Sequence, residues 1–292
     1  IEKVISVATI FTLILIVGGW ATFFNVAFGG FGTDQYQAIN GRLINRSYFG
    51  FFYPYWTPAG TFIRASGIYD EPGAFSLVIC SVAIARHGLG MHRGVTWVLL
   101  LTGFVTFSLA HFIYCGFHLL AERGLKKKLY VISSALVFLI ILVLLFSDIT
   151  AVLERFFQRL DINFNNERIL SGDNRSAYLF KSFGMLLSGS FADFLFGSVS
   201  TSPCCNPLQP LVDRGLLGSW PYYAILLILL ALGIRFKEPV MIGSSLLFMQ
   251  RPSIQSVGYS FLAAAIVVIY LKHRYNSKRR YGDYEKDIYN GT

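Results

Sequence analysis

Charge is scarce in this chain: 14% of its 292 residues are Asp, Glu, Lys or Arg, against about 25% in a soluble globular domain. So little charge cannot wet a whole surface, which argues against a globule bathed in water on every side. Cysteine is scarce too, and Cys80, Cys115, Cys204 and Cys205 show neither a disulfide framework nor metal-ligand spacing. Cys80 and Cys115 lie in apolar runs and read as small buried hydrophobes. Cys204 and Cys205 are adjacent, so a bond between them would be strained. No phosphate-binding loop, dinucleotide fingerprint, serine nucleophile elbow or haem pattern occurs, so neither metal nor cofactor is expected.

What the chain has instead is apolar length. Hydrophobic residues make up 54% of it, with 27 Phe and 27 Gly. Residues 4–28, 129–146 and 215–234 each form an apolar run near the roughly 20 residues that cross a bilayer. The first run is too long for the apolar core of a signal peptide and reads as a span. Shorter runs follow Pro72 (73–91), Pro239 (240–249) and Gly258 (259–271). Both prolines sit where the first helical turn tolerates them.

The stretch 94–122 is apolar and lies between two basic clusters, Arg86/Arg93 and Arg123/Lys126/Lys127/Lys128. Both clusters favour the cytoplasm, so a single crossing is disfavoured. A short hairpin broken near Gly103–Ser108 keeps them together. The same reasoning pairs the runs within 239–271, flanked by Arg235/Lys237 and Lys272/Arg274. The expected fold is therefore all-α: a polytopic transmembrane helix bundle of about eight membrane segments, two short hairpin-like pairs among them. Residues 1–271 form one transmembrane domain with outer loops 29–71 and 148–213. Residues 272–292 form a basic cytoplasmic tail, and both termini are cytoplasmic. The chain starts with Ile rather than Met, and a missing N-terminal part is expected.

On that topology the whole net charge of +9 lies on the cytoplasmic side, as the positive-inside rule demands. Membrane orientation thus accounts for the basic balance, and no nucleic-acid partner is expected. The outer side is neutral in sum, yet its bases are nearly all Arg, with Lys181 the single Lys. Arg offers a planar fork that grips phosphate or carboxylate bidentately. Two readings stand: a face that holds an anion, or arginines paired with the equally numerous local acids.

Three outer segments could carry chemistry. In the first, Arg64 precedes a glycine turn and Asp70-Glu71-Pro72 opens a helix. Carboxylates there favour the positive helix end, with Arg64 as counter-ion. Alternatively Arg64 grips an anion and Glu71 or Asp70 takes a proton, since a partly dry mouth raises a carboxyl pKa into a useful range. In the second, Arg155, Arg159, Arg168 and Arg175 punctuate the large loop, and Asp173 or Asn174 caps a helix over 175–187. That helix carries Arg175, Tyr178 and Ser182 towards one side and Phe180, Phe183 and Leu187 on the other. It reads as a phosphate site or as a plain amphipathic surface helix. In the third, Asn206 precedes a span, Asp213-Arg214 is a candidate ion pair, and Gly215 and Gly218 ease helix packing. His111 and His118 share a helix face, as a proton relay or as polar packing.

The order of these segments is familiar. Arg64-x-Ser-Gly-x-Tyr-x-Glu-Pro opens a span, and Thr106-Phe-Ser sits at the turn of a short helical pair. Asn174-Arg-Ser-Ala-Tyr, Phe196-Gly, Asn206-Pro-Leu and Asp213-Arg-Gly-Leu-Leu-Gly follow. Over roughly residues 60–235 the chain resembles the O-antigen polymerase and ligase superfamily, and within it the Wzy-type oligosaccharide repeat-unit polymerases.

The resemblance implies a metal-independent glycosyltransferase, multi-pass in a bacterial inner membrane. It would join undecaprenyl-diphosphate-linked repeat units into O-antigen, capsule or exopolysaccharide on the outer face. Its partners would be those lipid-linked glycans, membrane lipid and a chain-length regulator protein. Arg64 and Arg175 would hold the diphosphate, Glu71 would be the general base, and Arg168, Asp70, Tyr178 and Asn206 would contact substrate. Ligases of the superfamily usually carry His before the last Asn, where Cys205 stands here. Polymerase is thus the nearer reading, with ligase and lipid-glycan transporter or flippase as alternatives.

Overall fold

The computed structural model describes residues 1–27, 34–37, 43–47, 49–57, 60–69, 71–122, 124–145, 174–198, 206–250 and 262–272. The chain is mostly helical. Helix α1 (Glu2–Ala27) leads into strands β1 (Asp34–Gln37), β2 (Leu43–Ser47), β3 (Gly50–Thr57) and β4 (Gly60–Gly67). Then come α2 (Pro72–Gly88), α3 (Arg93–Thr102), a 3-10 turn (Gly103–Thr106), α4 (Leu109–Ala121) and α5 (Leu125–Leu145). The remaining helices are α6 (Asn174–Ser188), α7 (Phe191–Phe196), α8 (Gln209–Phe236), α9 (Pro239–Gln250) and α10 (Leu262–Lys272).

The apolar runs expected to be helical are helical wherever they are described. Pro72 occupies the first position of α2, where its missing N–H costs nothing. The break expected near Gly103–Ser108 is real. The 3-10 turn ends at Phe107, which adopts a left-handed conformation (φ 42°). Residues 97 and 118 then meet as rings 5.0 Å apart, and His111 Nε2 donates to the Leu100 carbonyl at 2.8 Å. Helices α3 and α4 are therefore an antiparallel hairpin. The connection between α9 and α10, the second expected pair, falls in 251–261, outside the described residues.

One element corrects the all-α expectation. The loop assigned to 29–71 contains a four-stranded antiparallel meander in the order β1-β2-β3-β4. The physical reason is local. Residues 50–57 and 60–67 are rich in aromatic and β-branched side chains, which suit a pleated surface, and a short connection turns Thr57 back onto Gly60. A helix-period search passes over such segments because their apolar residues alternate or run together.

The sheet rests on the C-terminal half of α1. Phe23 packs with Phe52, Ile63, Ala65 and Val105. A side chain at Gly18 or Gly19 would strike Phe49 or Ala65, so the glycine pair lets sheet and helix close up. Below it Ile16 packs with Phe75, Ile79, Val82 and Leu99. The main core joins α2, α3, α4, α8, α9 and α10 through residues such as Ala83, Trp97, Tyr114, Leu229, Phe248 and Ile266.

Helix α2 starts at the sheet and carries His87 in its last turn, whose ring nitrogen is 3.1 Å from the Glu238 carboxylate just after α8. The C-terminal ends of α2 and α8 therefore meet. Among the described residues two helices, α1 and α8, are long and apolar enough to cross a membrane by length and composition. Only 22% and 28% of their most apolar windows are buried, unlike the core helices of a water-soluble domain. Along α1 the uncovered positions Val4, Val7, Ile10, Phe11, Ile14 and Val17 form an apolar stripe at helical spacing.

Candidate functional site at the sheet end

Arg64 lies on β4 rather than in a loop. Its side chain is half-buried, and Nε donates to the Thr106 carbonyl at 3.0 Å. The first motif therefore touches the Thr-Phe-Ser turn, 42 residues away in sequence.

Both sides of that contact are irregular. Phe52 pairs with Ala65 while Phe51 pairs with Gly67, which leaves Ser66 as the extra residue of a β-bulge. Thr106 is followed by left-handed Phe107. Bulges and left-handed residues other than glycine re-aim side chains and concentrate near working sites. The Ser66 and Thr106 hydroxyls are buried, and neither has a hydrogen-bond partner among the described residues.

From the bulge the chain turns directly into α2. The Tyr69 amide donates to the Ser66 carbonyl at 3.0 Å, and the Tyr69 ring stacks on Phe75 with centroids 5.9 Å apart. Burial holds the Tyr69 phenol above its ordinary pKa, so it stays a neutral hydrogen-bonding group. Glu71 stands at the N-cap of α2 in extended conformation (φ −142°, ψ 143°), and its carboxylate makes no capping bond. The Glu71 carbonyl alone receives the Ala74 and Phe75 amides, at 3.0 and 3.2 Å. Arg64 on β4 and Glu71 at the N-cap of α2 thus stand seven residues apart on either side of the β4–α2 connection, and a guanidinium and a carboxylate are the groups that bind an anion and accept a proton.

A second corner gathers the later motifs. The Asn206 side chain is buried; Nδ2 donates to Ser182 Oγ on α6 at 3.0 Å and Oδ1 accepts the Leu208 amide at 3.0 Å. The Tyr223 hydroxyl donates to the Pro207 carbonyl at 2.8 Å. Ser198 donates its amide to the Val212 carbonyl at 2.7 Å, so the Phe196-Gly197 segment lies against Asp213-Arg214-Gly215. Helix α8 is kinked there, with Gly215 at φ 62°, ψ −177°.

The expected site residues divide accordingly. Arg64 and Glu71 share the first corner, and Asn206 clamps the second. Arg175 is the second residue of α6, and Tyr178, one turn on, is exposed. Asp70 and Arg168 lie outside the described residues, as do Cys204 and Cys205. Thr106 and Ser66 escaped sequence reasoning as site residues. A bulge has no composition signal, and a carbonyl acceptor depends on no side chain.

At the other end, Glu122 is buried, accepts from Trp97 Nε1 at 3.0 Å and pairs with Arg93 at 3.1 Å. Arg86 is buried and reaches Thr96, Thr9 and the His92 carbonyl, at 3.1–3.2 Å. It ties α1, α2 and α3 together. His111 and His118 are both buried within the hairpin. His111 also meets Cys80 Sγ at 3.4 Å, a packing arrangement. Comparison with family models, curated proteins and solved structures gives no match for the chain.

Proposed function

We propose that the chain is a multi-pass inner-membrane glycosyltransferase that polymerises undecaprenyl-diphosphate-linked repeat units at the outer face. The observation that supports it is the meeting of motifs far apart in sequence. Arg64 bonds Thr106, and Gly197 abuts Asp213 and Arg214, the first corner near the start of α2 and the second near the start of α8. In this reading about eight segments cross or enter the membrane, both termini are cytoplasmic, and the sheet end faces outward.

Arg64 and Arg175 hold the diphosphate and offset charge on the leaving group. Glu71 takes the proton of the attacking sugar hydroxyl. The diphosphate leaves as the glycosidic bond to the acceptor oxygen forms. Arg168, Asp70, Tyr178 and Asn206 surround the substrate, and a chain-length regulator is the protein partner.

The test is glycan length in cells deleted for the gene and complemented with wild type, Arg64→Ala, Glu71→Gln or Arg175→Ala, after each protein is shown to reach the membrane. A single capped repeat unit with each variant, against a ladder with wild type, is the expected result. A normal ladder from all three would remove the site assignment. Loss of all surface glycan would point to ligation or export instead.

A further inference from the structure

Among its described side chains α6 buries Ser182 and leaves most of the others partly or fully uncovered, and α7 has no buried residue. Ser182 of α6 is fully buried against Asn206. Phe180, Phe183 and Leu187 project from the opposite face, at 50%, 52% and 73% exposure. Phe191, Phe194 and Phe196 continue the pattern along α7. The adjoining start of α8 adds Leu216, Leu217 and Trp220, also exposed. An apolar surface of this extent is not left in water.

The level of this surface says what covers it. The C-terminal end of α7 lies directly on Gly215. From Gly215 to Arg235, the basic residue in the last turn of α8, the helix rises about 30 Å at 1.5 Å per residue. That is the thickness of a bilayer's hydrocarbon core, roughly 30 Å. If Arg235 marks one boundary, α7 sits at the other. Trp220 lies about one and a half turns further in, at a depth that suits an interfacial indole. Polar groups complete the fit: Asp193 is spent on Ser190 at the helix start, and Lys181 is exposed beside the apolar arc, where its amine can reach headgroups.

We propose that α6 and α7 lie in the plane of the outer leaflet, with Phe180, Phe183, Leu187, Phe191, Phe194 and Phe196 sunk among the upper acyl chains. This rests on α8 crossing the membrane, as read above. The clamps at Ser182–Asn206 and Gly197–Gly215 would then fix the second corner at headgroup height, where a lipid diphosphate sits.

The experiment places the full chain in phosphatidylcholine nanodiscs whose acyl chains are brominated near the glycerol or near the methyl end. The emission added by Phe191→Trp and by Phe183→Trp over wild type is recorded, and Trp220→Phe isolates the native Trp220 signal. The expected result is loss of more than about half of the added emission with bromine near the glycerol, less with deep bromine, and little response to iodide, as for an interfacial helix. Quenching by iodide but not by bromine would place the pair in water and overturn the inference. Resistance to both would mean that protein covers this face, which overturns it too. If Trp220 itself escapes bromine, α8 does not cross and the membrane reading falls; if Trp220 is quenched and the added indoles are not, only this inference falls.

Discussion

Gly197 and Gly215 are locked into each other's chains. Gly197 (φ 95°) sits so close to α8 that a Cβ there would lie 2.5 Å from the Asp213 carbonyl oxygen. Gly215 (φ 62°) sits against the backbone of Leu195 and Phe196, with no room for a Cβ. Each glycine is required twice over, by a left-handed φ and by a backbone neighbour that cannot move aside.

Replacing Gly215 by Ala should therefore destabilise the protein strongly. The backbone conformation alone costs about 1–3 kcal/mol for a residue with a side chain, and displacing α7 adds to it. Gly184→Ala on α6 is the contrast, because a Cβ there meets nothing within 4 Å. That change should be neutral or stabilising by up to about 1 kcal/mol through helix propensity. Thermal melting in detergent, with yield in the membrane, checks both. A Gly215→Ala protein that melts with wild type would mean that α7 is not seated on α8.

The Asn206–Ser182 bond should be visible as a coupling. Asn206→Ala removes an acceptor for the Leu208 amide and the amide that meets Ser182, in a buried setting where an unmade bond costs about 1–3 kcal/mol. Ser182→Ala alone should cost less, since Asn206 keeps Leu208. A double-mutant cycle in denaturant should give about 0.5–1.5 kcal/mol of interaction, the net worth of one hydrogen bond. Strict additivity would show that the clamp carries no energy.

What the sequence made legible follows from which signals are periodic. The long apolar runs gave α1, α5 and α8, and the basic clusters around 94–122 gave the hairpin, because run length and clustered charge can be read along the chain without knowing what packs against it. The sheet was illegible: residues 50–67 carry no helical period, and their alternation is short. Arg64 and Glu71 stood out by residue type. The contact of Arg64 with Thr106 runs to a backbone carbonyl across two chain segments, and no side-chain pattern announces it. The Gly197–Gly215 interlock was half visible, since both glycines lay in quoted motifs, yet only the fold shows that the two motifs face each other.

Glu122 separates a buried contact from an exposed one. Its Oε1 accepts from buried Trp97, and its Oε2 pairs with Arg93, whose side chain is 52% exposed. Exposed partners contribute little, typically under about 1 kcal/mol. Glu122→Gln keeps an acceptor for Trp97 and should be mild. Glu122→Ala leaves the indole N–H buried without a partner, at about 1–3 kcal/mol. Arg93→Ala should resemble Gln rather than Ala in melting experiments. The reverse ranking would assign the stability to the ion pair.

Asp193 gives a pH signature. The backbone amide of Ser190 and then its hydroxyl donate to the carboxylate and hold its pKa below the ordinary 3.8. A depressed folded pKa means that this contribution is present above the unfolded value and is lost as pH falls through the folded one. Helix α7 should therefore loosen only in acid below about pH 3.8, the unperturbed carboxyl value. Ser190→Ala should move the carboxyl titration upward by removing one donor. Carboxyl-selective NMR on labelled protein reads the shift, and an unmoved titration would break the assignment of Ser190 as its cause.

Ser66 and Thr106 separate stability from activity at the first corner. A buried hydroxyl without a partner weakens a fold, so a change to an apolar group of the same shape is neutral or favourable. Ser66→Ala and Thr106→Val should melt at or slightly above the wild-type temperature, with gains of up to about 1 kcal/mol. Those hydroxyls lie on a bulge and beside a left-handed residue next to Arg64, places where irregular backbone is kept for use rather than for stability. The glycan ladder of both variants should accordingly shorten while the protein stays folded. A lower melting temperature with a normal ladder would show instead that the hydroxyls serve the fold through bound water.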